Sequence, residues 1–268
     1  MVKNKVMALR HDMPRLGTRK LYYLLKDKFR QQGIAMGRDR LFDLLRSEGM
    51  LITKKKKYTS TTDSRHWMHK YPNLIKDMQV RRPEQLWVAD ITYVSVSSRF
   101  CYLHLVTDAY SRKIMGYHVS TTLAAIETLK ALQIALKGRK YNHELVHHSD
   151  RGLQYCSRCY VEALKKSSVR ISMTQDGSPY DNAIAERVNG ILKDEYGLDD
   201  HFKDQRQLKQ QVRQAVESYN NRRPHQSNHL LTPARMHQQD TLEPKTWHKK
   251  SARTKESSSR FLPSPPIY

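Results

Sequence analysis

The sequence predicts an α/β fold with a mixed sheet, a three-strand antiparallel meander followed by α/β units, preceded by a small basic helical domain. Three observations predict it. Between residues 85 and 120, three stretches rich in β-branched and aromatic side chains follow one another across short polar turns. From 122 to 174 helical and strand patterns alternate, as they do where crossover helices join strands of one sheet. Ahead of both, residues 1–83 carry 21 basic and 7 acidic side chains, a net of +14 that is most of the chain's +22. A chain of 268 residues holds one large or two modest domains. The pattern places a basic helical segment at 1–53, a basic linker at 54–84 and the sheet-bearing core at 85–238. A polar, Pro/Ser-rich tail at 239–268 is expected to be disordered.

In "LGTRKLYYLLKDKF", Leu21, Leu24, Leu25 and Phe29 recur at helical spacing with basic residues on the other face. "RDRLFDLLRSEG" repeats the pattern through Leu41, Leu44 and Leu45, with Gly49 to end it. Two short basic helices joined by "QQGIAMG" suit a helix-turn-helix-like module whose second helix reads DNA, and equally a plain hairpin packed on the next domain. The run Lys54, Lys55, Lys56 and Lys57 suits a solvated linker that grips phosphate without sequence preference.

In the core, "QLWVADITYVSV", "RFCYLHLVTDAY" and "RKIMGYHVS" are the meander. "TLAAIETLKALQIALKG" aligns Leu129, Leu132 and Leu136 on a helix, "ELVHHSD" is a short strand, "QYCSRCYVEALKKSS" a helix and "VRISMT" a last strand. After the turn-forming "QDGSPYDN" comes "DNAIAERVNGILKDEYG", N-capped by Asp181 or Asn182, and then the helix "QRQLKQQVRQAVESYNN".

A charge of +22 and a pI near 9.9 attract polyanions, so nucleic acid is the leading partner. Mean hydropathy is −0.77 and no run approaches about 18 apolar residues, which argues against a membrane role. The N-terminus lacks the apolar stretch of a secretory signal, and Cys101, Cys156 and Cys159 are too few for a disulfide framework, so an intracellular protein is expected.

The densest cluster of reactive residues is "HHSDRGLQYC" with Cys159 three positions on. A zinc site would need His147 and His148 on one metal, but strand neighbours point to opposite faces. Cys156 and Cys159 on a helix suit buried cysteines instead. The string His148, Ser149, Asp150 is no hydrolase triad, because consecutive strand residues alternate faces and no nucleophile elbow surrounds Ser149.

Asp150 remains, at the carboxyl end of an apolar strand, where α/β sheets expose catalytic groups, although helix capping is the simpler use. Asp90 changes the balance. It interrupts the apolar "WVADITYV", and a carboxylate inside a central strand is costly unless paired or bound to a cation. The third candidate is Glu186, opposite the core face of its helix with Asn182, Asn189 and Lys193, and 35 residues beyond Asp150.

Taken in order, "WVADITYV", "HHSDRGLQY", "DNAIAERVNGILKDEY" and "YNNRRPHQSNHLLTPA" carry a resemblance over about residues 15–236. The chain resembles the second-frame, OrfB-type proteins of bacterial insertion-sequence transposases, in the DDE superfamily that also holds the retroviral integrases. The resemblance implies an RNase H-like core in which Asp90, Asp150 and Glu186 are the catalytic triad and bind two Mg²⁺ ions, with Mn²⁺ able to substitute. It implies cleavage and 3′-hydroxyl strand transfer on transposon ends and target DNA, by a homo-oligomer in the cytoplasm at the nucleoid. It also implies possible fusion, through frameshifting, to an upstream product. Lys193 would hold a phosphate beside the metals, with Asn182 and Asn189 as further DNA contacts on that face. Arg222 and Arg223 would contact the DNA backbone, or else close the fold through an ion pair. His147 or His148 would orient a carboxylate or leaving group while the other packs in the sheet.

Overall fold

The computed structural model describes residues 1–53, 67–175 and 182–245. The Lys54, Lys55, Lys56 and Lys57 run and Asp181 lie outside them. The sequence begins with a helix that the apolar pattern does not reveal, α1 (Val2–Asp12), which buries only Val6. The two expected helices follow as α2 (Thr18–Gln31) and α3 (Arg38–Ser47); Leu21, Leu25, Phe29, Leu41 and Leu45 are buried, whereas Leu24 and Leu44 are not fully so.

The meander forms as expected from β1 (Leu86–Val96), β2 (Arg99–Asp108) and β3 (Ile114–Ser120), with Asp90 opposite Leu105. Helix α4 (Ala125–Lys137) crosses β3 at Gly116, where an added Cβ would stand 2.2 Å from the Ala131 carbonyl oxygen and 2.7 Å from the Ala135 nitrogen. Only a glycine admits that approach. Strands β4 (Leu145–Ser149) and β5 (Val169–Met173) then add parallel to β1, giving the order β3-β2-β1-β4-β5.

Between them the chain forms α5 (Leu153–Cys156) and α6 (Arg158–Lys166), not one helix. Ser157 is extended, and its hydroxyl donates to the Gln154 carbonyl at 2.7 Å. The break turns Cys159 to solvent, against the expectation that both cysteines are buried, and leaves Cys156 against Met173.

Helices α7 (Ala183–Tyr196) and α8 (Gln205–Asn221) complete the core, with α9 (Pro233–Met236) near the end. Asp204 caps α8 by accepting from the Gln207 amide. The sheet is a wall between two apolar layers. Trp87, Ala89 and Val106 face α4, α5 and α6 in one cluster, whereas Val94, Leu103 and Leu105 face α7, α8 and the N-terminal helices in another. Each fully buried Leu, Val or Trp contributes about 1.5–3 kcal/mol, so the basic N-terminal helices are fastened to the core by the same kind of contact that holds the core together.

Two expectations about irregular segments change. Residues 67–83, expected as linker, form a strap whose Leu74, Ile75, Met78 and Val80 pack against the core, and the Leu74 amide donates to Ser172 Oγ. Residues 239–245, expected as disordered tail, are pinned: the Tyr110 hydroxyl donates to the Leu242 carbonyl and the Lys245 amide to the Ser227 carbonyl. Among the described residues no helix is long and apolar enough to cross a membrane.

Candidate active site

Strand register brings the first two carboxylates together. Strands β1 and β4 pair in parallel at Leu86 with Val146, Trp87 with His147 and Val88 with His148. Continued two residues further, that register sets Asp90 level with Asp150. Register partners in parallel strands share a face, and here Leu86, Val88 and Val146 pack with Ala185 of α7. Asp90 and Asp150 therefore stand on the α7 side of the sheet, and Glu186 leaves the first turn of α7, exposed.

Burial, and then the neighbouring charges of Asp150 and Glu186, push Asp90 up to about 7, against a hydrogen bond from Asn189 that favours its ionised form. Asn189 Nδ2 donates to Asp90 Oδ2 at 2.7 Å, and the Ile91 amide donates to Asp90 Oδ1 at 2.9 Å. Asp150 Oδ1 accepts from the Gly152 amide at 3.0 Å, the residue that opens α5. A Cβ at Gly152 would lie 3.1 Å from that oxygen, so a larger residue would crowd the carboxylate.

The polar residues expected as DNA contacts divide. Asn182 and Asn189 are buried, because α7 lays this stripe over β1; Asn182 Nδ2 donates to the Ala89 carbonyl at 3.2 Å. They hold the strand and Asp90, and are not the exposed residues that a helix face turned to DNA leads one to expect. Lys193 is half-buried, its ammonium disfavoured by desolvation and favoured by Asp199, Asp90 and Asp194. Arg222 is exposed and ion-paired with Asp12. Arg223 is buried and grips Glu195 through two hydrogen bonds, 2.8 Å from Nε to Oε2 and 2.7 Å from Nη2 to Oε1. For Arg223 the structure realises the fold-closing ion pair, not the backbone contact.

Both histidines are buried on opposite faces of β4. His147 Nε2 meets the Tyr160 hydroxyl at 2.9 Å under α6, and burial pushes it down to about 3. His148 Nδ1 meets Ser172 Oγ at 2.8 Å, the hydroxyl that also receives the Leu74 amide. One residue to which no sequence motif assigns a role adjoins the site. Tyr155 is buried with its hydroxyl unpartnered, raised well above its usual pKa by burial and then by the charge of Asp150. Its position five residues after Asp150, at the start of a helix, is the signal that could have found it.

Known proteins resemble this chain over the segments that carry these residues. Residues 80–179, which hold Asp90 and Asp150, and residues 167–233, which hold Glu186, each match an integrase core domain family. An uncharacterized 31 kDa protein of insertion element IS600 from Shigella sonnei is 34% identical over 81% of this chain and 79% of its own length. The transposase for insertion sequence element IS629, from the same organism, is 34% identical over 72% of this chain. The chain belongs to the integrase-core transposases of insertion sequences. This family comprises polynucleotidyl transferases, and the chain spans 65% of the length of the IS629 transposase. The transposase fold is also that of an integrase: a cryo-EM structure of the simian T-cell lymphotropic virus intasome with PP2A regulatory subunit B56 gamma superimposes with a TM-score of 0.52. That match covers 92% of this chain and 78% of the other at 17% identity.

Proposed function

We propose that this transposase cuts the ends of its insertion sequence and joins the freed 3′-hydroxyl to target DNA, with Asp90, Asp150 and Glu186 as the catalytic carboxylates. The observation that carries the reading is that Asp90 and Asp150 stand level on neighbouring strands on the face that α7 covers, where Glu186 leaves the first turn; burial first, then the charge of Asp150 and least that of Glu186, raise Asp90 to about 7.

The donor set fits a hard divalent cation. Among the described residues no three ligand-type side chains close around one point. Mg²⁺ is commonly held by one or two carboxylates with water and substrate phosphate oxygens completing its shell. Asp90, Asp150 and Glu186 would hold two such ions, with Mn²⁺ able to substitute. Bound there, the ions would stabilise the attacking and leaving oxygens of an in-line displacement at phosphorus.

The protein's own groups do the positioning. Asn189 fixes the Asp90 carboxylate, Gly152 keeps space beside Asp150, and Lys193 offers a charge to a substrate phosphate. Helices α2 and α3 would act as the DNA-binding module, extended by Lys54, Lys55, Lys56 and Lys57. Assembly as a homo-oligomer on DNA, fusion to an upstream product and a nucleoid location complete the proposal.

A joining assay with labelled transposon-end DNA, target plasmid and Mg²⁺ tests it. Products longer than the substrate are expected, lost with EDTA and in Asp90→Asn, Asp150→Asn and Glu186→Gln while DNA binding persists. Shortened products alone would make the protein a nuclease, and joining by any of the three variants would remove that carboxylate from the site.

A further inference from the structure

Six residues before Asp90, about 20 Å away along an extended chain, four segments meet around one histidine. Glu84 follows the strap, Asp108 ends β2 with Ser111 in the turn after it, Tyr141 follows α4, and His237 follows α9. Glu84, Asp108, Ser111 and His237 are all buried. Glu84 accepts from the Lys140 and Tyr141 amides at 3.0 Å each, and its own amide donates to Asp108 Oδ2 at 2.7 Å. Its backbone is left-handed, with φ of 56°. A residue with a side chain keeps that conformation where its surroundings over-determine it, and here both its amide and its carboxylate are committed.

The hydrogen positions fix the state of His237. The Ser111 hydroxyl donates to Asp108 Oδ1 at 2.6 Å, so towards His237 Nδ1, 3.0 Å away, its oxygen can only accept. Nδ1 therefore carries a hydrogen, and it also lies 3.4 Å from Asp108 Oδ1. Nε2 stands 3.2 Å from Glu84 Oε1, another oxygen that only accepts. A neutral imidazole has a single N–H and would set a lone pair against one of these oxygens. Two buried carboxylates also call for a cation. Burial disfavours the imidazolium, but the hydrogen bonds to Asp108 and Glu84 outweigh it and hold the His237 pKa above its ordinary value. Among the other charges here, Lys113 opposes that shift, Arg139 Nε lies 3.8 Å from Glu84, Arg112 acts on Asp108, and Asp240 acts on Tyr110 and Tyr141. The contacts of Ser111, His237 and Glu84 resemble a hydrolase triad, but the serine hydrogen is committed to Asp108 and the group is sealed from any substrate.

We propose that His237 is a proton-held clasp: as an imidazolium it pins the C-terminal segment 233–245 to the end of the sheet, and its deprotonation loosens that segment. Without the charge the segment keeps the burial of Met236 and neutral hydrogen bonds, such as that from the Tyr141 hydroxyl to the His237 carbonyl at 2.9 Å, each about half as strong as a charge-assisted bond. The folded pKa is raised, so the clasp is at full strength below about pH 6.5 and is lost as pH rises through the folded midpoint. The clasp is independent of how the carboxylates at Asp90 and Asp150 are read.

The test is nitrogen NMR of the histidine rings in the full chain, with amide hydrogen exchange over residues 236–245 corrected for the intrinsic rate, from about pH 6 upwards. Both ring nitrogens of His237 are expected to be protonated at neutral pH. Protection of the His237 and Lys245 amides should fall as the ring titrates, about tenfold for each pKa unit by which its midpoint exceeds about 6.5, while the β1 and β2 amides keep theirs. Glu84→Gln should lower the midpoint, and His237→Gln should show the loosened segment at every pH. A single protonated ring nitrogen at neutral pH overturns the clasp, as does protection that stays constant through the midpoint. An unchanged midpoint in a folded Glu84→Gln removes Glu84 from it. Should His237→Gln fail to fold, the wild-type titration still decides.

Discussion

Helix α7 carries carboxylates into opposite surroundings at its two ends. At its first turn Glu186 approaches Asp90 and Asp150, and the like charges, added to burial, hold Asp90 near 7. At its last turn Glu195 lies between Lys20 and Arg223; burial works against its ionisation, but the two cations outweigh it and hold Glu195 near 2. A carboxylate already neutralised by protein cations holds the fold together. Carboxylates set beside one another raise the cost of each other's ionisation, which an incoming cation would relieve.

The comparison breaks most sharply if the two glutamates are exchanged in role. Glu186→Gln should reduce joining by about a thousandfold or more, on the scale of losing a main transition-state contact, with little change in melting. Glu195→Gln should do the reverse. It strands Lys20 and Arg223 in a largely buried site, at a cost of about 3–5 kcal/mol in denaturant unfolding, while the folded fraction still joins DNA. If Glu195→Gln abolished joining at full stability, the division between the two ends of α7 would fall.

The next effect concerns Asp90 without metal. Its folded pKa lies above the unfolded value, so the folded state binds more protons between about pH 4 and 7 and stability falls as pH rises through that window. In EDTA at pH 8, Asp90→Asn should therefore be more stable than the wild type, with a ceiling of about 4 kcal/mol set by three pKa units. The advantage should vanish near pH 4. Glu195 has the opposite sign. Its folded pKa is lowered, so its stabilisation is complete above about 4.5 and is lost as pH falls towards 2. Acid unfolding should accordingly be shallower in Glu195→Gln than in the wild type.

A smaller effect sharpens the active-site end. Asn189→Ala removes a hydrogen bond to a charged oxygen, worth about 1.5–3 kcal/mol, and should raise Asp90 further. Joining by this variant should be about tenfold slower at pH 7 and recover as pH rises. A loss independent of pH would mean that Asn189 serves the fold or the DNA and not the ionisation of Asp90.

What could be read from the sequence follows the same division. Asp90 stands out because an apolar strand makes a carboxylate conspicuous, whereas the β1–β4 register that sets it level with Asp150 depends on strand pairing that the sequence does not show. The fates of Arg222 and Arg223 could not be read. They are adjacent and alike, yet one is exposed against Asp12 and the other buried against Glu195, 28 residues upstream. Asn189 was visible on the Glu186 face, but whether that face met solvent or strand depended on how α7 crosses β1. Helix α1 escaped notice because one buried valine leaves no apolar period, and the 67–83 strap because its apolar residues follow no regular period.

The central claim is that Asp90, Asp150 and Glu186 form one cation site, and the ionisation of Asp90 tests it most directly. Carbon-detected NMR of the side-chain carboxyls, assigned with Asp90→Asn, would follow Asp90 in the metal-free protein and again with Mg²⁺. The account predicts a midpoint near 7 without metal, lowered in Glu186→Gln and carried well below neutrality by Mg²⁺. A midpoint in the ordinary aspartate range, unmoved by Glu186→Gln or by Mg²⁺, would contradict it.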